Sequence, residues 1–246
     1  MKRTALAHAA LVLLAIGLPL AEAGAVTVSP MQVEMTSAGA RSHSTVTVIN
    51  NSMEPMPIEA VVQSMTMDEN GKAHTSTAGD EFLVMPPQVI IPPGATQNFR
   101  IQWLGEPEIA ASQSFFIFFN QVPLKLNPGK PTVQIVMSLG VMVNVAPPEG
   151  DAVLELVSTG VAAGTDGKRH PTITVRNPGR VHCLLPKSTI RLTAGAWSQV
   201  LTPGYLSEHI GSGLVQPQRQ RKFVLPIDLP ADVSAVRASL ESARRQ

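Results

Sequence analysis

Seven apolar side chains, Val133, Ile135, Met137, Leu139, Val141, Val143 and Val145, hold every odd position of the fourteen-residue stretch Thr132–Val145. A helix repeats every 3.6 residues and would scatter that row around its axis, whereas a strand sends alternate side chains to one face. The stretch is read as a single strand, longer than the usual ~5–6 residues. The segment before it, Phe115-Phe116-Ile117-Phe118-Phe119, is apolar on both faces. The loop between them, Pro123-Leu124-Lys125-Leu126-Asn127-Pro128-Gly129-Lys130-Pro131, is too rich in Pro and Gly for a helix to cross it.

Such a row has two physical readings. It can be a central strand filling the chain's own core. It can also be an edge strand that lends its apolar row to another protein's sheet, where main-chain bonds give affinity and alternate side chains fill a partner's pockets. A long exposed apolar edge aggregates unless a partner covers it. The pattern by itself leaves both readings open.

The rest of the chain is also built of strands. Val26, Val28, Met31 and Val33 outline a first strand interrupted by Pro30, and Ser44–Asn50 alternates before the turn Asn50-Asn51-Ser52. Ile58–Met67 runs into Asp68-Glu69-Asn70-Gly71, a hairpin composition. Phe82–Met85, Val89–Ile91 and Thr96–Leu104 follow, with Pro86-Pro87 and Pro92-Pro93-Gly94 between them. With 21 prolines and 18 glycines in 246 residues, a mostly helical fold is excluded. Short strands separated by turns at this spacing predict an all-β chain made of sandwiches. The tail from Asp232 to Gln246 has a helix-friendly composition and is expected to be partly disordered.

Lys2 and Arg3 precede an apolar run from Ala5 to Leu20, and Ala21-Glu22-Ala23 offers small residues for a peptidase. Residues 1–23 are read as a cleavable signal peptide, since the run is shorter than the roughly 20 apolar residues a span needs. From Gly24 to Pro148 there are five basic and nine acidic side chains, a net of −4; from Glu149 to Gln246 there are twelve and eight, a net of +4. The change of sign falls at Ala146-Pro147-Pro148-Glu149-Gly150, a hinge composition. Two domains are expected, 24–148 and 149–246, each near the ~100 residues of one sandwich.

The formal net charge of +1 argues against nucleic acid, which needs a basic surface. One cysteine excludes an intrachain disulfide framework and a thiolate zinc site. His-Glu-x-x-His, Gly-x-Ser-x-Gly and Gly-x-x-x-x-Gly-Lys are all missing, so no enzyme and no bound nucleotide is expected. His74, His170, His182, Cys183 and His209 show no ligand spacing; they are read as core or surface residues, with no metal and no cofactor.

The order of motifs resembles the periplasmic chaperones of chaperone–usher pilus assembly. The matching stretches are Val26-Thr27-Val28-Ser29-Pro30, Ser44-Thr45-Val46-Thr47-Val48-Ile49-Asn50-Asn51, Phe82-Leu83-Val84-Met85-Pro86-Pro87 and Ile91-Pro92-Pro93-Gly94-Ala95-Thr96-Gln97. Phe99-Arg100-Ile101, Gln121-Val122-Pro123, Ile173-Thr174-Val175-Arg176-Asn177-Pro178 and Phe223-Val224-Leu225-Pro226 continue the series in order. The resemblance implies two immunoglobulin-like sandwiches in an L-shaped arrangement and a cis bond at Met85-Pro86 or Pro86-Pro87. It implies a periplasmic protein that caps pilin subunits without ATP and delivers them to an outer-membrane usher. Val133, Ile135, Met137, Leu139, Val141 and Val143 would then form a donor strand, with Val26, Val28, Met31 and Val33 as the edge on the other side of the subunit's groove. A free edge would also suit a second copy of the chain when no subunit is bound. The alternative is a structural component of a surface appendage, its sandwiches packed as a stalk.

Commoner members hold the subunit's C-terminal carboxylate with an Arg in the first strand and a Lys early in the last. Here those places read Pro30-Met31-Gln32-Val33-Glu34 and Ser138-Leu139-Gly140. Ser112-Gln113 stands where an acidic residue of the usual interdomain ion pair is expected. These departures suggest a divergent, archaic or alternative-type branch. Among the five first-domain cations, Arg100 and Lys125 are the anchor candidates. Arg100 sits on a strand, where its fork could meet a carboxylate.

Overall fold

The computed structural model describes residues 26–123, 136–164 and 167–242. The signal-peptide reading, and Lys125, Lys130, Val133 and Ile135, lie outside those residues.

The N-terminal half contributes β1 (Val26–Ser29), β2 (Gln32–Thr36), β3 (His43–Asn50), β4 (Met56–Met67), β5 (Ala73–Thr77), β6 (Phe82–Met85), β7 (Gln88–Ile91), β8 (Thr96–Trp103), β9 (Gln113–Gln121) and β10 (Ser138–Ala146). They form two sheets, one ordered β1-β3-β8-β6 and the other β2-β10-β9-β4-β5, with β7 also on β4. The period-2 pattern accounts for this packing: Val46 and Val48 on β3, Phe99 and Ile101 on β8, and Ile117 and Phe119 on β9 point inward and are essentially without exposed surface. The first strand is split as Pro30 suggested, for the chain leaves one sheet after Ser29 and joins the other at Gln32. The Ser29-Pro30 and Met85-Pro86 bonds are cis.

The second half contributes β11 (Glu155–Ala163), β12 (Arg169–Arg176), β13 (Cys183–Leu184), β14 (Ser188–Ala194), β15 (Trp197–Leu201), α1 (Pro203–His209), β16 (Leu214–Val215), β17 (Gln220–Val224) and β18 (Arg237–Ser242). Sheets β11-β12-β17 and β15-β14-β18 enclose a separate core that includes Ile173, Val175, Leu192 and Leu225. The all-β fold in two domains agrees with the sequence reading.

Two segments differ from expectation. Within the tail, Arg237–Ser242 is a strand paired antiparallel with β14, because Val236, Ala238 and Leu240 alternate and pack on the second core. The helix α1 was not anticipated. Pro203 opens it and the Thr202 hydroxyl accepts from the Tyr205 amide, a start signal that is legible in the sequence.

Asn50, the last residue of β3, and Asn177, the residue after β12, play corresponding parts in the two domains. Asn50 donates through Nδ2 to the carbonyls of Glu54, Ile91 and Pro92. Asn177 donates to those of Val181 and Val215. Both are fully buried, and each side chain satisfies backbone carbonyls that would otherwise be stranded away from water.

Candidate functional site

The odd-position row divides within β10. Val141, Val143 and Val145 have no exposed surface and lie in the first core, while Met137 and Leu139 are half-buried against its margin. A side chain at zero exposure cannot enter a partner's groove without leaving its own core. Of the row expected from sequence, Val141 and Val143 are therefore core residues, while Met137 and Leu139 are only partly covered by that core.

Backbone pairing divides at the same place. β10 pairs antiparallel with β9 from Ser138 to Val145. On its other side it pairs with β2, in parallel, only from Met142 to Ala146, and the Met142 amide donates to the Met31 carbonyl at 3.0 Å. Ser138–Val141 have no strand on that side among the described residues. Such a stretch presents N–H and C=O groups to whatever strand arrives.

The early edge residues fall on two sheets. β1 is the outer strand of its sheet, where Val26 is half-buried and Val28 buried. Val33, on β2, is buried beside β10. Met31, between the strands, is 52% exposed at the point where the open edge of β10 begins.

The structure does not bring Arg100 to this edge. Phe99 and Ile101 face the core, so Arg100 faces solvent on the outside of the opposite sheet. Lys187 instead lines a cleft of about 240 Å³ together with Gln32, Leu184, Pro186, Ser207, Gly211 and Ser212. Gln32 begins β2, next to the open edge. Nothing local in Pro186-Lys187-Ser188 marks this residue, because only the packing of the second domain against β2 creates the cleft.

That packing rests on a joint rich in methionine. Met65, Met67, Met142 and Leu214 are buried together, with Phe116 and Leu184 against them. Gln216 completes it by pairing with backbone: its Nε2 donates to the Met65 carbonyl at 2.9 Å and its Oε1 accepts from the Met67 amide at 2.8 Å. Arg221 donates from Nη1 to the Leu214 carbonyl and lies 4.4 Å over the ring of Phe223, a cation–π contact.

The second part of the joint is polar. Glu34 on β2 accepts from Asn144 at 2.9 Å and contacts His182 Nε2 at 2.6 Å. His182 Nδ1 lies 3.0 Å from the Ser112 hydroxyl. Asn144, fully buried, in turn accepts from Ser114 at 2.8 Å. Burial opposes ionisation of Glu34, but the hydrogen bonds and charge of His182 and the bonds from Asn144 and Gln32 outweigh it and hold the carboxyl at about 2. Ser112 thus supplies a hydroxyl to the joint in place of a carboxylate. The sequence reading missed this use of Glu34 and His182, because partners so far apart in the chain leave no local signal.

Burial pushes the Cys183 thiol up to about 12. No three His, Cys, Asp or Glu side chains among the described residues come together to hold a metal. No helix among them is long and apolar enough to cross a membrane.

Comparison with known proteins fits this architecture. A chain from the structure of the Salmonella enterica SafA pilin in complex with the SafB chaperone superimposes with a TM-score of 0.54 at 16% identity, over 89% of this chain and 97% of that one. The class 5 fimbriae chaperone CfaA gives 0.53 at 12% identity, over 89% of this chain and 100% of that one. Identities this low establish the fold alone. No curated protein matches the sequence directly. Residues 25–150 match the family described as pili and flagellar-assembly chaperone, PapD N-terminal domain, and the match takes in both sheets of the first sandwich and the whole of β10. The chain belongs to the pili and flagellar-assembly chaperone family.

Proposed function

We propose that this protein acts in the periplasm as the chaperone of a chaperone–usher system, holding a pilin subunit by lending it the beginning of the long strand and passing it to an outer-membrane usher. The observation that carries this reading is the edge of β10. Val141, Val143 and Val145 are fixed in the chain's own core, whereas among the described residues Ser138–Val141 have no strand on one side. In sequence the same apolar parity runs back from Leu139 and Met137 to Ile135 and Val133. One row can thereby serve two cores, its later residues the chaperone's and its earlier ones the subunit's. Main-chain pairing and a merged apolar core supply the affinity without nucleotide.

Two further elements belong to this reading. Residues 1–23 direct export and are removed. Lys187, in the cleft beside Gln32, replaces Arg100 as the cation for a subunit carboxylate, and Lys125 is a second candidate from sequence.

The test pairs two substitutions of equal chemistry. Ile135→Asp is expected to abolish capture of a co-expressed pilin from the same gene cluster while leaving the melting temperature unchanged. Val143→Asp should unfold the first domain. If Ile135→Asp captures pilin like the wild type, the reading fails.

A further inference from the structure

The outward face of β10 carries the even positions, and at Gly140 it has no side chain. A Cβ placed there would lie 2.9 Å from Phe118 Cε1 and 3.4 Å from Phe116 Cδ1. The Phe118 ring therefore occupies the space where the side chain of residue 140 would stand. Gly140 and Phe118 are direct partners across the β10–β9 pair, and Val61 opposes Phe118 on β4. Phe116 and Phe118 are tilted neighbours with centroids 5.5 Å apart, and both are half-buried.

The surroundings narrow this apolar place to one residue position. Toward Met142 the face is closed, because Met142 is buried under Leu214 of the second domain. Toward Ser138 it is polar, since the Ser138 hydroxyl donates to Asn120 Oδ1 at 2.5 Å. Gly140 lies between, within the stretch of β10 that has no strand on its other side among the described residues. Glycine inside a strand weakens it, and often marks a place where another backbone approaches closely. A strand pairing with this edge would send every second side chain to the outward face, and the one opposite Gly140 would stand about 5 Å across the pair, within reach of the ring.

We infer that Phe118, laid over Gly140, is a specificity-determining contact: it receives one outward-facing aliphatic or aromatic side chain of the subunit strand that pairs with Ser138–Val141. The inference rests on the edge reading proposed above. A branched polar or charged side chain at that place would lose water against the ring without gaining a partner and would be selected against. Gly140 keeps the ring low across the backbone, and a methyl at 140 would lift it into the approach path.

A double-mutant cycle tests this. Phe118→Ala, with Phe118→Leu as a milder second variant, is combined with alanine substitutions along both edge strands of the co-expressed pilin, and the affinity of each purified pair is measured. Coupling is expected at a single outward-facing apolar pilin position, about three- to tenfold beyond additivity. Gly140→Ala should weaken capture of the same pilin while its melting temperature stays within a few degrees of the wild type. Additive effects at every pilin position would overturn the inference, and would leave the edge reading standing if Ile135→Asp still abolished capture. Loss of sensitivity to both Ile135→Asp and Phe118→Ala would remove the two together.

Discussion

Glu34 Oε2 lies 2.6 Å from His182 Nε2 and joins two residues 148 apart in sequence across the meeting of the domains. His182 is 4% exposed in its side chain and Glu34 33% exposed, so the imidazole is enclosed and the carboxylate keeps one side in water. Asn144 fixes the other carboxylate oxygen from β10. The pair thus ties three elements together: the edge strand β2, the long strand β10 and the second domain.

The pair gives acid stability a definite direction. The folded-state pKa of Glu34, about 2, lies below the value of 4.5 for a free glutamate. Its contribution is complete above pH 4.5 and is lost as pH falls through that range toward 2. The full difference corresponds to about 3 kcal/mol, and partial exposure reduces it to about 1–2 kcal/mol. Urea unfolding between pH 2 and 6 should show this slope in the wild type, and Glu34→Gln should flatten it. An unchanged slope in the variant would show that other carboxylates govern acid unfolding.

Asn144→Asp should have the opposite pH dependence. The side chain is fully buried and 2.9 Å from Glu34 Oε1, so a second carboxylate there meets like charge with little solvent to screen it. The variant is expected to lose about 2–3 kcal/mol at neutral pH and to regain part of it as pH falls and one carboxyl takes a proton. Unfolding at pH 7 and pH 4.5 distinguishes this from simple loss of packing, which would cost the same at both.

The fold was more legible in the sequence than the site. Alternation at Val46, Val48, Phe99, Ile101 and Val141–Val145 is a local property of the chain, and each of these side chains lies where its parity places it. Arg237–Ser242 escaped because its short alternation is embedded in residues that also favour helix, and pairing with β14 settles the competition. Within the site, parity showed the row but could not show where one core ends. That limit depends on how far β2 runs beside β10, a tertiary fact. Lys187 and His182 owe their positions to the docking of two domains, and no residue spacing encodes that.

Gln216 should act as a local latch. Its amide substitutes for a strand beside Met65 and Met67, where β9 no longer runs. Gln216→Ala leaves the Met67 amide and the Met65 carbonyl without these partners and is expected to cost about 2 kcal/mol. Amide exchange at Met67 should quicken by more than the global loss of stability requires. Equal protection in variant and wild type would mean that the joint closes without this side chain.

Cys183 offers a probe of the second domain. The thiol is 5% exposed, donates to the Val153 carbonyl at 3.2 Å and is raised to about 12, so the reactive thiolate is scarce at pH 8. A thiol reagent should leave the native protein unmodified at pH 8 and react at the rate at which the second domain opens. Because the first domain contains no cysteine, this labelling reports one sandwich only. In Val143→Asp, which removes the first core, the labelling rate distinguishes two outcomes. A rate like the wild type's shows that the second core, with Ile173, Leu192 and Leu225, stands without the first. Rapid labelling shows that Met142 and its neighbours, seated on Leu214, are needed to keep the second domain closed. The separate cores predict the first outcome, with labelling faster by no more than about tenfold.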